Sequence, residues 1–245
     1  MNARIRKPAL VGIIATLVAL SLAAATLADA RTERAQRTVR FSDARMIIEV
    51  NATDGDAGFQ IFADAEPWKE FEVFRPDGRR MVHIVGENEV RDWGLTELFS
   101  ESNEPPFEES PLEEFLARFP AGKYKFRGKT IDGKTLVGSA RFSHNIPNGP
   151  VIVAPKKGKK IDRDEVTIRW RRGPQPKGID IVQYQVILSG GSEDREISIF
   201  MDGSAREVDI PEQFLEPHAE YEGEVLAIDA SGNQTITHIP TFQTK

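Results

Sequence analysis

From Arg45 onward the chain is written mostly in short runs of period two separated by turn residues, a pattern that admits little besides antiparallel sheet. Met46-Ile47-Ile48-Glu49-Val50 is the first run, and Phe59 to Ala63, Phe71 to Arg75 and Met81 to Val85 follow. Pro76-Asp77-Gly78 lies between two of them, where proline fixes φ and glycine accepts a positive φ, so a hairpin is expected. Asp132-Gly133 sits in the same way between Tyr124 to Ile131 and Thr135 to Phe142. Residues 45–147 are therefore expected to form a β-sandwich of about six strands.

One short helix should interrupt it near residues 110–119. Leu112, Phe115, Leu116 and Phe119 recur at i, i+3, i+4, i+7, which places them on one face. Ser110 and Glu113 have the spacing of a capping box, and Pro111 suits a first helical turn. Pro120 and Gly122 supply the stop.

The turn-rich stretch Asn145 to Pro150 has no period and marks a boundary. Beyond it come seven short runs: Val151 to Pro155, Val166 to Trp170, Val182 to Leu188, Ile197 to Met201, Val208 to Ile210, Tyr221 to Ile228 and Thr235 to Phe242. Seven strands in about 100 residues is the expectation for an immunoglobulin-like sandwich. Trp170 ends the second run and Tyr184 sits in the third. Leu215-x-Pro217-x-x-x-Tyr221 precedes the sixth, and Asp229-Ala230-Ser231-Gly232 makes the last hairpin. On these residues, 148–245 resembles a fibronectin type III domain, and the chain is similar to secreted bacterial proteins that carry one. The resemblance implies a Tyr221 hydroxyl bonded back to nearby backbone, and it implies no catalytic residues. The fold expected for the chain is all-β: two tandem Ig-like β-sandwiches, the first with one short helix, after an N-terminal signal peptide.

That signal peptide is read at residues 1–30. Arg4, Arg6 and Lys7 precede an uncharged stretch from Pro8 to Ala28, and Ala28-Asp29-Ala30 has the small-x-small form of a cleavage site. Left uncleaved, the stretch approaches the ~20 residues that span a bilayer, and it is the only membrane contact expected. Residues 31–44 are charged and aperiodic, and are read as a flexible arm or a first edge strand. Export to the periplasm or the outside of a bacterial cell follows. The absence of cysteine excludes disulfides, a lipid-modified N-terminus and cysteine-based zinc sites. Removing residues 1–30 moves the formal net charge from -6 to -8, because three basic residues and Asp29 leave with them. Such an acidic chain is a poor match for nucleic acid, whose phosphates need a positive face.

Few residues suggest chemistry. Asn51, Asp54 and Asp56, interleaved with glycine, offer hard oxygens to calcium, or simply form a polar turn. No other cofactor is expected. Trp68 and Trp93 lie in loop-like settings, where an aromatic either stacks on a sugar or protein ligand or closes the end of a sandwich. The glutamates between Glu97 and Glu114 form an acidic stretch, and Lys156, Lys157, Lys159, Lys160 and Arg163 a basic one; both have the character of solvated loops. His-Glu-x-x-His, Gly-x-Ser-x-Gly and phosphate-cradling glycine loops are absent, so an enzyme is not expected. The expected function is binding or scaffolding of an envelope or extracellular protein or polysaccharide. A carbohydrate-binding or carbohydrate-active accessory protein and a calcium-stiffened adhesin are the alternatives.

Overall fold

The computed structural model describes residues 37–193 and 195–245. The expected signal peptide and the start of the expected arm lie outside these residues. Among the described residues, no helix is long and apolar enough to cross a membrane.

The first half contains β1 (Thr38–Arg40), β2 (Asp43–Asn51), β3 (Asp56–Phe74), β4 (Arg80–Val85), α1 (Asn88–Trp93), β5 (Leu95–Glu101), α2 (Leu112–Arg118), β6 (Gly122–Thr130) and β7 (Thr135–Phe142). Its organiser is β3, whose 19 residues span two runs expected as separate strands. The N-terminal part of β3 pairs with β2 on one side and β5 on the other; its C-terminal part pairs with β4 and β6. Register breaks between Asp64 and Glu70 bend the strand, so its two parts serve two layers. β2, β3 and β5 form one layer. β4, β3, β6, β7 and β1 form the other.

Both layers turn apolar side chains onto a single core holding Met46, Ile48, Ile61, Trp68, Phe71 and Phe126. Phe41, Phe71 and Phe126 meet edge to face at centroid distances of 5.7–6.1 Å, a favoured geometry for aromatic quadrupoles. Each such ring removed from water contributes about 2–3 kcal/mol. The two expected hairpins form, with Gly78 at φ 87° and Gly133 at φ 86°.

Of the two readings of 31–44, the edge strand holds from Thr38: β1 pairs in parallel with β7, because Val39 has Leu136 beside it and packs on the core. Two features depart from the sequence reading. α1 and β5 occupy a stretch where no regular element is expected, β5 running into the acidic stretch that reads as solvated loop. Ser110 does not cap α2: Pro111 takes the N-cap position with ψ 147°, and no side chain bonds the first turn. The amphipathic face of α2 is as expected, with Phe115 buried and Leu112, Leu116 and Phe119 packed against the core.

The second half contains β8 (Val151–Ala154), β9 (Lys160–Ile161), β10 (Thr167–Arg171), β11 (Ile181–Gly190), β12 (Arg195–Asp202), β13 (Glu207–Asp209), β14 (Glu220–Asp229) and β15 (Gln234–Thr244). One sheet runs β13-β10-β8 and the other β12-β11-β14-β15, so three strands face four. The seven expected strands are all present, and the two-residue β9, outside the sequence reading, pairs in parallel with β15. Trp170 and Tyr184 are buried together at 5.3 Å between ring centroids. The Tyr221 hydroxyl accepts the backbone N–H of Glu216 at 2.8 Å and pins the corner, as the resemblance implies.

The halves share a sheet. β15 pairs in parallel with β2, setting Gln234 beside Glu49, Thr235 beside Val50 and Ile236 beside Asn51. Buried Asn233 completes the joint. Its Oδ1 accepts the N–H of Ile48 at 2.8 Å, and its Nδ2 donates to the carbonyls of Ser143 at 3.0 Å and Asn145 at 2.9 Å. The connection between the halves is thus tied to both of them.

Candidate functional site

Because β2 joins β15, one face runs continuously from β5 through β3, β2, β15, β14 and β11 to β12. Cross-strand partners point to the same side of a sheet, so register alone decides what this face displays. Asp43 lies beside Asp64, and Asp64 beside Glu97. Ile47 lies beside Gln60, and Gln60 beside Glu101. In the second half Glu224 lies beside His238, and Leu226 beside Ile236. In the first half the face carries these carboxylates together with Arg45, and in the second half Leu226, Ile228 and Ile236 form a buried apolar floor.

Glu49 sits where the halves meet. It is only 8% exposed, although it carries a carboxyl. Gln234 of β15 donates to it, and Gln60 donates to Glu101 at 2.8 Å next door. Burial pushes the Glu49 carboxyl up to about 7; the bond from Gln234 opposes that shift, and the charges of Glu101 and Glu224 add to it. Glu104 is pushed up to about 7 as well, first by burial and then by Glu49 and Glu101. It can lie there because its neighbour below is Gly58: a Cβ at that position would stand 2.6 Å from the Glu104 Oε1. Carboxylate oxygens of Glu49, Glu101 and Glu104 come within 4.8 Å of one another. That is tighter than the ~5–5.5 Å or more between the catalytic carboxyls of a glycosidase. Glu70, Glu72 and His83 form a second such group on the other layer of the first half, with His83 Nε2 3.1 Å from Glu70.

Asn51, Asp54 and Asp56 lie at the hairpin between β2 and β3. Asn51 Oδ1 accepts the N–H groups of Thr53 at 3.0 Å and Asp54 at 3.1 Å, and its Nδ2 donates to Asp54 at 2.9 Å. The Gly55 N–H to the Asn51 carbonyl at 2.9 Å and the His238 N–H to Thr53 Oγ1 at 2.9 Å hold the turn as well. Asp56 has one buried oxygen without a hydrogen-bond partner among the described residues, and its carboxyl is raised by burial and then by Asp54.

Trp68 does not offer a ligand surface. It is fully buried and packs on Phe71 at 5.6 Å, because the bend in β3 turns the Pro67-Trp68 segment inward. Its setting of Glu66 and Pro67 reads as loop, and the register breaks that enclose it are not local signals. Trp93 is the opposite case, 83% exposed at the end of α1. The sequence singles out neither the shared face nor the role of Glu49. The one available signal is a glutamate inside the apolar run Met46 to Val50.

No family model matches the chain, and no curated protein matches it. Among solved structures it is similar to fibronectin(III)-like modules of Clostridium thermocellum CbhA, with 11% identity and TM-score 0.35, over 84% of this chain and 93% of that one. It is similar to domains FN1–FN3 of chicken CNTN1, with 14% identity and TM-score 0.32, over 84% of this chain and 64% of that one. A two-domain fibronectin type III segment of chicken tenascin matches with 10% identity and TM-score 0.29, over 83% of this chain and 99% of that one. The fold reading of residues 148–245 stands on their own strand order and on the Tyr221 corner.

Proposed function

We propose that the chain is an exported, non-enzymatic binding or scaffolding protein that holds an envelope or extracellular protein or polysaccharide through Trp93. The exposure of that indole carries the reading. An 83% exposed tryptophan leaves a large apolar surface in water, and aromatic anchors of this kind dominate binding energy when a partner covers them. Val90, three residues earlier on α1, shares its face and is 45% exposed. Val85, also exposed, ends the strand that leads into the helix. The joint between the halves supports the scaffolding part of the reading, since a shared sheet fixes their spacing.

The test is retention of the chain beginning at Arg31 on separated membrane, peptidoglycan and soluble polysaccharide fractions, beside a Trp93→Ala variant. Retention on one fraction that the variant loses, with its melting temperature unchanged, identifies the ligand class and the anchor. Equal retention of both proteins refutes the role of Trp93. Retention on none refutes the binding reading.

A further inference from the structure

The first sandwich carries opposite charge on its two outer faces. On β6, Tyr124 and Phe126 point to the core, and Lys123, Lys125, Arg127 and Lys129 point outward. Residues two apart on one side of a strand stand about 7 Å from each other, so these four form a cationic row. Arg141 of β7 lies directly beside Lys123 and widens the row. Glu70 and Glu72 also stand on this face, beside Lys129 and Arg127 and bonded to His83 and Arg80, so the uncompensated part of the row is Lys123, Lys125 and Arg141. Among the described residues, Lys123, Lys125 and Arg141 have no carboxylate partner.

The other layer presents the acidic face. Asp43, Asp64 and Glu97 lie side by side across β2, β3 and β5, and Glu101 stands four residues beyond Glu97 on the same side. Arg45 Nε bonds Asp43 at 2.7 Å, and Asp64, Glu97 and Glu101 have no cationic partner among the described residues. Like charges directly opposite one another in a sheet are destabilising, and Asp64 beside Glu97 on one face and Lys123 beside Arg141 on the other have no opposite charge bonded to them among the described residues. The two layers close on one core, so the faces look away from each other and cannot meet within one molecule.

We infer that the occupant of the basic face is the acidic face of a second copy of this chain. The contact joins two different surfaces, so it is heterologous and propagates head to tail rather than closing as a two-fold dimer. It is independent of Trp93 and of whatever the protein binds there.

Sedimentation velocity on the purified full chain tests this at about 0.01 M salt, where the screening length is about 30 Å, and at about 1 M, where it is about 3 Å. The expected result is a sedimentation coefficient that rises with protein concentration at low salt and a monomer at high salt. Lys123→Glu with Lys125→Glu, and separately Glu97→Lys with Glu101→Lys, should each leave a monomer at low salt. Mixing the two variants should restore association, because each keeps the face the other has lost. These positions are all solvent-exposed, and circular dichroism confirms folding; the salt dependence of the unaltered chain is a readout that needs no variant. A monomer at both salt concentrations overturns the inference and leaves the basic face to an anionic partner of another kind. Association that persists in either variant, or at high salt, also overturns it.

Discussion

Glu49→Gln should stabilise the protein at neutral pH and remove much of its pH dependence. The Glu49 carboxyl rises from an ordinary value of 4.5 to about 7 in the folded chain. Between these values the unfolded chain has lost a proton that the folded chain keeps. Stability therefore falls as pH rises through this window and stays low above it. At about 1.4 kcal/mol per pH unit, the gap corresponds to about 3 kcal/mol, and the near-complete burial of Glu49 means that solvent screening does little to reduce it. Glutamine keeps the shape and the acceptor for Gln234, and it carries no charge for Glu101, Glu104 or Glu224 to repel. Urea unfolding at pH 4.5 and pH 8, followed by near-ultraviolet circular dichroism, measures the effect. The two proteins should match at the acid end and separate by up to about 3 kcal/mol at pH 8, with the variant the more stable. Parallel stability curves, or a variant that is the weaker at pH 8, would refute the argument from burial.

Asn233→Ala removes three bonds at the joint and leaves the Ile48 N–H buried without a partner, which should cost about 3 kcal/mol and split one calorimetric transition into two. Tyr221→Phe deletes the acceptor for the Glu216 N–H, and a melting experiment should register a loss of about 1–2 kcal/mol. Trp68→Ala opens a cavity in the first core and should cost about 3–5 kcal/mol in chemical unfolding, whereas Trp93→Ala should stay within about 0.5 kcal/mol of the parent.

The second sandwich was legible because its information is local. Each of its seven expected strands carries its own alternation, and Leu215, Pro217 and Tyr221 mark the corner within seven residues. The first sandwich was legible only where the same held, at the Asp77-Gly78 and Asp132-Gly133 hairpins and along α2. β5 was hidden because its outward residues Glu97 and Glu101 merge with the acidic loop beyond, while its apolar residues Leu95, Leu98 and Phe99 break the alternation. Ser110 misled because a capping box needs its serine at the N-cap, and Pro111 occupies that position. Trp68 misled because the strand around it is bent, so Pro67 and Glu66 imitate a loop.

The charged faces were illegible for a different reason, and that reason bears on what they do. Asp43, Asp64 and Glu97 lie far apart in sequence and become neighbours only through the pairings of β3 with β2 and β5. Asp43 and Asp64 belong to no acidic run, and no local turn or cap depends on them. Sheet formation brings like charges together at a cost that other side chains could have avoided, since exposed strand positions accept threonine or glutamine at least as well. Glu49 sharpens the contrast, because its charge is suppressed by burial where the halves meet, whereas the outer carboxylates stand in solvent where salt can screen them. Stability and association should accordingly separate under titration. Changing pH between 4.5 and 7 acts mainly on the joint, and changing ionic strength acts mainly on the outer faces. A protein whose self-association followed pH through that window but ignored salt would contradict this division, and would move the contact from the outer rows to the Glu49 cluster.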